Sequence, residues 1–162
     1  ETVVLNNFKG FTLRGGFGNI FKKIACIDFS RECGECILRN KCVYAYIFET
    51  PFPKNLIDKI PFQMAYPPRP YIIEPPFDSQ IIFNSADEFY FDLVLIGKSI
   101  EYLPYFIFAF EELGKRGIGR GKGKYRLLKV EGMDREVIYQ EGGLQDKFIF
   151  ITFQCFLDWV YC

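Results

Sequence analysis

An α+β fold, an antiparallel sheet with helices on one face, is the architecture this sequence predicts. Three observations lead there. Two segments carry apolar residues at helical spacing, and several short runs rich in β-branched and aromatic residues lie between turn residues. Those runs are grouped between and after the helices instead of alternating strictly with them. The chain has 162 residues and 49% hydrophobic content, enough for one domain with its own core. A chain of this size buries roughly 68–70% of the surface that its unfolded form exposes.

Taken in order, residues 1–5 are short, apolar and β-branched, and are expected to form an N-terminal strand. Leu13 to Gly18 (LRGGFG) reads as a glycine-rich turn. From Gly18 onward Ile20, Phe21 and Ile24 share one helical face, with Lys22 and Lys23 on another. The turn should therefore feed a helix N-terminus with Arg14 beside it. A cysteine insertion occupies residues 26–42. Residues 50–76 hold eight of the nine prolines and are expected as loop or edge structure. Tyr71-Ile72-Ile73 and Ile81-Ile82-Phe83 are short strand candidates, with a turn at Ser85-Ala86-Asp87. The clearest strand is Phe89 to Gly97, whose nearly all-apolar far end suits a central strand covered on both faces. Pro104 to Leu113 is a second helix, with proline in its first turn and Gly114 just past its end. Tyr125 to Val130 and Glu136 to Gln140 form a hairpin, and Lys147 to Phe153 a last strand.

Composition narrows the function. Lys and Arg total 20, as do Asp and Glu, so the chain is formally neutral. Histidine is absent, which excludes Ser-His-Asp and Cys-His catalysis and leaves Tyr, Lys, Arg, Asp, Glu, Cys or Ser for any chemistry. The start has no basic leader and apolar run, and no stretch is long enough to span a bilayer, so a cytoplasmic protein away from membranes is expected. Nineteen Phe and ten Tyr raise the aromatic share to 19%. Most are expected in the core, and a minority could serve as stacking platforms for bases.

Against that neutral background, Leu113 to Arg126 (LGKRGIGRGKGKYR) packs five glycines and six cations into fourteen residues without one acid. It is not a P-loop or dinucleotide fingerprint, since those glycines sit between a strand and a helix, whereas these follow a helix. Alternating glycine and cation suggests a flexible arm laid along a phosphate backbone. The expected contacts are Arg116, Arg120, Lys122, Lys124 and Arg126, and a solvated connector is the competing reading. Arg14, with Lys22 and Lys23 on the helix that follows it, forms the second candidate anion surface. Such contacts position a nucleic acid without reading its sequence.

Cys26, Cys33, Cys36 and Cys42 follow a C-x6-C-x2-C-x5-C spacing. Four soft ligands within seventeen residues suit structural zinc, with an iron–sulfur cluster as the other metal option. Arg31, Arg39 and Lys41 would offset thiolate charge and lower the thiol pKa values. Two disulfides or four free thiols are the competing readings. Cys155 and Cys162 are expected to be inert.

LRGGFG, a four-cysteine insertion running into CVYAYIFE, PPRPYIIEPP, and YLPYFIFAFEELGKRGIGRGKGKY occur in one order. In this the chain resembles the CRISPR-associated precursor-RNA-processing endoribonucleases of the RAMP superfamily, over roughly residues 11–130. The resemblance maps Leu13 to Gly18 onto the loop and helix start, Gly117 to Gly123 onto the glycine-rich loop, and Arg69, Pro70 and Tyr71 onto the proline-arginine segment. It implies a ferredoxin-like, RRM-related fold with a Cys-rich insertion, binding of CRISPR repeat RNA or crRNA, and metal-independent cleavage with the 2′-hydroxyl as nucleophile. Such proteins carry a second ferredoxin-like half whose motifs are absent here, so 1–162 is expected to be a single RAMP domain. The implied function is repeat-RNA binding that contributes to crRNA processing. A non-catalytic subunit of an RNA-guided effector complex is the alternative, and other CRISPR-associated proteins or a self-dimer are the expected protein partners. No residue is assigned as catalytic; Tyr44, Lys23 and Arg14 are candidates that the sequence does not rank.

Overall fold

The computed structural model describes residues 2–49, 68–75, 77–141 and 143–144. The expected strand at Lys147 to Phe153, Cys155, Cys162 and most of the proline-rich stretch lie outside the described residues. Among the described residues the architecture is α+β: two α-helices and three small antiparallel sheets. In chain order the elements are β1 (Val3–Val4), α1 (Lys9–Ala25), β2 (Tyr71–Glu74), β3 (Ile82–Phe83), β4 (Asp92–Leu95), α2 (Leu103–Arg116), β5 (Lys129–Glu131), β6 (Val137–Gln140) and β7 (Gly143–Leu144).

LRGGFG is not a turn before α1 but part of its interior, and the helix begins at Lys9. Leu13 and Phe17 extend the apolar stripe of Ile20, Phe21 and Ile24 backward at helical spacing, so burial of that stripe outweighs the poor helix propensity of Gly15, Gly16 and Gly18. Each such glycine costs about 1 kcal/mol relative to alanine. Gly16 has a packing reason: a Cβ there would lie 2.9 Å from Leu113 Cδ1 of α2, so its absence sets how closely the helices approach. Arg14 therefore sits in the body of the helix, away from the N-terminal amides.

The two helices pack around Phe17, which is fully buried. Its ring stacks on Phe106 (5.1 Å) and Phe110 (4.8 Å), while Phe21 meets Tyr105 and Phe106. Higher numbers on α1 thus meet lower numbers on α2, and the helices run antiparallel. Each such aromatic pair adds about 0.5–1.5 kcal/mol beyond the area it buries. Lys9 closes the start of α1. Its buried ammonium donates to the Asp78 carbonyl (2.6 Å) and carboxylate Oδ1 (2.8 Å).

The strands are shorter than expected. β1 pairs with β3 through Val3↔Phe83 and Val4↔Ile82. β2 pairs with β4 from Tyr71↔Leu95 to Glu74↔Asp92. The expected central strand at 89–97 is reduced to β4, which belongs to a two-stranded sheet. Ser99 ends it: its hydroxyl accepts the Ile96 N–H (2.8 Å) and donates to the Pro70 carbonyl (2.7 Å), drawing the chain into a 3₁₀ turn over Gly97–Tyr102. β5 and β6 form the expected hairpin, which β7 extends. α2 runs one turn past its expected end at Leu113. Gly114 stays helical, and Gly117 (φ 86°) caps the helix by donating to the Leu113 carbonyl at 2.8 Å.

Candidate nucleic-acid interface and cysteine module

The glycine-rich segment is a closed loop pinned to β1, where a flexible arm was expected. Ile118 N–H bonds the Gly123 carbonyl (2.9 Å), Lys122 N–H the Gly119 carbonyl (3.3 Å), and Arg120 N–H the Val4 carbonyl (2.8 Å). Ile118 is buried and anchors the loop in the core. Gly119 has φ 69°, and a Cβ there would collide with the Val4 carbonyl oxygen. Only glycine gives both the left-handed backbone and the close approach. Tyr125 closes the far end, its N–H on the Gly114 carbonyl (3.2 Å) and its hydroxyl on the Phe110 carbonyl (2.8 Å). Burial raises the Tyr125 hydroxyl pKa far above the ordinary tyrosine value.

This scaffold projects Arg116, Arg120, Lys122 and Lys124 into solvent, and none of the four meets a carboxylate among the described residues. Lys122 itself has a left-handed backbone (φ 53°), next to Gly121 at φ 85°. Two expected features change. Arg126 is held by Glu141 at 3.0 Å, and Lys115 by Glu111 and Glu112 at 2.9 and 2.7 Å. The segment contains no acid, but the fold brings acids to two of its six cations.

Two cations of α1 are held by rings. The Arg14 guanidinium lies 5.3 Å from the Tyr71 ring centre, and Lys22 Nζ lies 5.5 Å from that of Tyr44. Lys23 is exposed near the helix end, where positive charge complements the helix dipole.

The four cysteines of the insertion converge. Cys26, Cys33, Cys36 and Cys42 line one shallow cavity together with Asp28, Arg31, Arg39, Tyr44 and Ala45. All four are half-buried free thiols. Cys26 follows the last residue of α1, a 3₁₀ turn over Cys33–Glu35 presents the C-x2-C pair, and Cys42 N–H bonds the Leu38 carbonyl at 2.8 Å. The donor chemistry, all sulfur, fits zinc or an iron–sulfur cluster. Among the described residues no three Cys, His, Asp or Glu side chains are placed as an ion-binding group. The expected effect of the arginines is not seen at Cys33. Burial and then Glu49 push its thiol up, with Lys22 pulling the other way. Arg31 is turned onto Asp28 (3.1 Å) and Arg39 toward the Gly34 carbonyl (3.5 Å).

The structure thus defines an α+β domain with an anchored basic loop on one side and a four-thiol module on the other. The chain belongs to the AF_1859_N family, described as an N-terminal domain, whose model matches residues 1–148. It is similar to an uncharacterized protein of Archaeoglobus fulgidus, 26% identical over 141 residues. That match covers 83% of this chain and 46% of the relative, so the chain spans about half the relative's length. No solved structure matches it. No helix among the described residues is long and apolar enough to cross a membrane.

Sequence reasoning missed Arg69 as a site residue. Its guanidinium lies 5.5 Å from the Phe48 ring centre, beside the rings that hold Arg14 and Lys22. A cation just before Pro70-Tyr71 was the available signal. What was not legible was that residues 48 and 69 meet in space.

Proposed function

We propose that this chain is an RNA-binding RAMP-type domain that grips CRISPR repeat RNA and contributes to precursor-crRNA processing. The carrying observation is the loop over 117–123: a hydrogen-bonded backbone presenting, with its flanks, a set of cations that no acid neutralises among the described residues. Fixed, unpaired cations bind phosphates at a lower ordering cost than a mobile arm would. The strand ahead of α1, the strands between the two helices and the strands after α2 support a ferredoxin-like, RRM-related core. The four-thiol module is read as a structural zinc site, with an iron–sulfur cluster as the competing occupant. Its role would be to staple a segment that has little core of its own.

The test is binding of a labelled repeat RNA to the chain and to its Arg120→Ala/Lys122→Ala/Lys124→Ala variant. Three lost phosphate contacts should lower the salt slope of log K by about 2 and weaken binding at least tenfold. Unchanged affinity and slope would make the loop a connector. The same incubation in EDTA tests activity: discrete cleavage products would make the domain a metal-independent nuclease. Metal content by mass spectrometry, with a visible absorption spectrum, decides between zinc, iron–sulfur and bare thiols.

A further inference from the structure

We infer a second phosphate track, running over an aromatic row beside α1 through Arg14, Arg69 and Lys22, that holds the backbone of a single-stranded RNA segment. The rings of Tyr71, Phe48 and Tyr44 form a continuous series, with centroids 5.6 Å apart for Tyr71–Phe48 and 4.8 Å apart for Phe48–Tyr44. Each ring carries one cation: Arg14 on Tyr71, Arg69 on Phe48 and Lys22 on Tyr44, at 5.3, 5.5 and 5.5 Å. A ring orients a cation without cancelling its charge, as a carboxylate would. None of the three makes an ion pair among the described residues. Among the described residues Glu49 is the carboxylate whose charge reaches Tyr44, at one end of the row. Among the described residues the three cations outnumber that acid, which leaves the row positive.

The backbone geometry suits a polymer more than a single anion. Arg14, Gly18 and Lys22 stand at i, i+4 and i+8, on one face of α1, so Arg14 and Lys22 are about 12 Å apart along the helix. That separation exceeds the reach of one phosphate but matches a few nucleotides of a strand. Gly18 lies between them against Phe48, and Gly15, next to Arg14, has no described residue where a side chain would be. Between the two cations the helix surface is therefore low. α1 runs antiparallel to α2, and Gly16 packs on Leu113, one turn before the basic loop starts. Arg14 is therefore at the end of the row near the loop, and Tyr44 lines the cysteine cavity at the other end. The track continues the loop's positive surface toward the thiol module.

The inference rests on reading the chain as an RNA binder, and its test separates the two. Binding of a labelled oligouridylate of about a dozen nucleotides is measured against salt for the unaltered chain and four variants: Arg69→Gln, Arg14→Gln/Arg69→Gln, Arg69→Lys and the loop triple variant. Each phosphate contact removed from a single strand lowers the salt slope by about 0.7, so the expected drops are about 0.7 for R69Q and about 1.4 for the double variant. Arg69→Lys, which keeps the charge, should keep the slope. R69Q and R14Q/R69Q with unaltered affinity and slope, beside a weakened loop variant, would remove the track and leave the loop reading intact. Weaker binding at an unchanged slope would also remove it, since the cations would then act only on packing. No binding by the unaltered chain would overturn both readings.

Discussion

Two glycine-rich, cation-bearing segments of this chain look alike on paper and fold in opposite ways. Leu13 to Gly18 lies inside α1, and 117–123 is a closed loop with left-handed backbone at Gly117, Gly119, Gly121 and Lys122. The same residue type does different work in each. In α1 Gly16 removes a side chain so that two helices can touch, and its backbone is ordinary. In the loop Gly119 supplies a backbone conformation and lets the loop lie against β1. What separates the two is the company the glycines keep. Leu13 and Phe17 continue a helical apolar stripe, whereas around 117–123 the only buried side chain is Ile118.

The comparison breaks most sharply at Gly119. Alanine there would force a left-handed backbone on a residue with a Cβ and drive that Cβ into the Val4 carbonyl. That carbonyl cannot retreat without losing the Arg120 N–H bond to it. Gly119→Ala should cost about 3 kcal/mol in urea unfolding, from backbone strain and the lost docking onto β1. A cost below about 1 kcal/mol would mean that the loop is free of β1.

Inside α1 the same substitution should divide by position. Gly15→Ala meets no atom of the described residues within 4 Å and should stabilise the fold by about 1 kcal/mol through helix propensity alone. Gly16→Ala makes the same gain but must displace the buried Leu113 side chain, an overpacking cost of about 1–3 kcal/mol, so it should come out destabilising. Thermal melts of the two variants decide it: shifts of the same sign would show that helix packing does not distinguish these neighbours. If Gly15→Ala also weakens RNA binding while raising the melting temperature, the space beside Arg14 is used by ligand.

These outcomes bear on how much the sequence disclosed. The α+β class, both helices, the hairpin around 131–134 and the strands at Val3–Val4, Tyr71–Glu74 and Ile82–Phe83 were legible from periodicity and turn residues. The convergence of the four cysteines was legible too, because their spacing is local. The start of α1 was not, since glycine punctuation outweighed the four-residue step from Leu13 to Phe17, a signal that was present. Nor was the length of β4: its apolar run reads as a central strand until Ser99 binds Pro70, a contact across 29 positions. The ring-held cations depend on contacts between Arg69 and Phe48 and between Arg14 and Tyr71, which no local pattern encodes. Long-range contacts decide the length of β4 and the ring-held cations, and they are invisible to windows of a dozen residues.

The last and smallest effect is a pH test of how the two segments are anchored. The start of α1 is held by an ion pair, and the loop by backbone hydrogen bonds with no titrating partner. Lys9 holds the Asp78 carboxyl below its ordinary value of 3.8, the Gln80 N–H adding to this and partial desolvation opposing it. A carboxyl depressed in the folded state contributes stability that is present above 3.8 and lost as pH falls through the lower folded value. Between neutral pH and pH of about 3, amide protection near Leu13 should therefore fall more than protection at Ile118 and Arg120, after correction for intrinsic exchange rates. Protonated Asp78 can still accept the Lys9 proton through its backbone carbonyl, so the helix start should loosen without detaching. Asp78→Asn should remove the difference, leaving α1 and the loop with parallel acid profiles. If the difference persisted in that variant, the acid sensitivity of α1 would have to arise elsewhere on the helix.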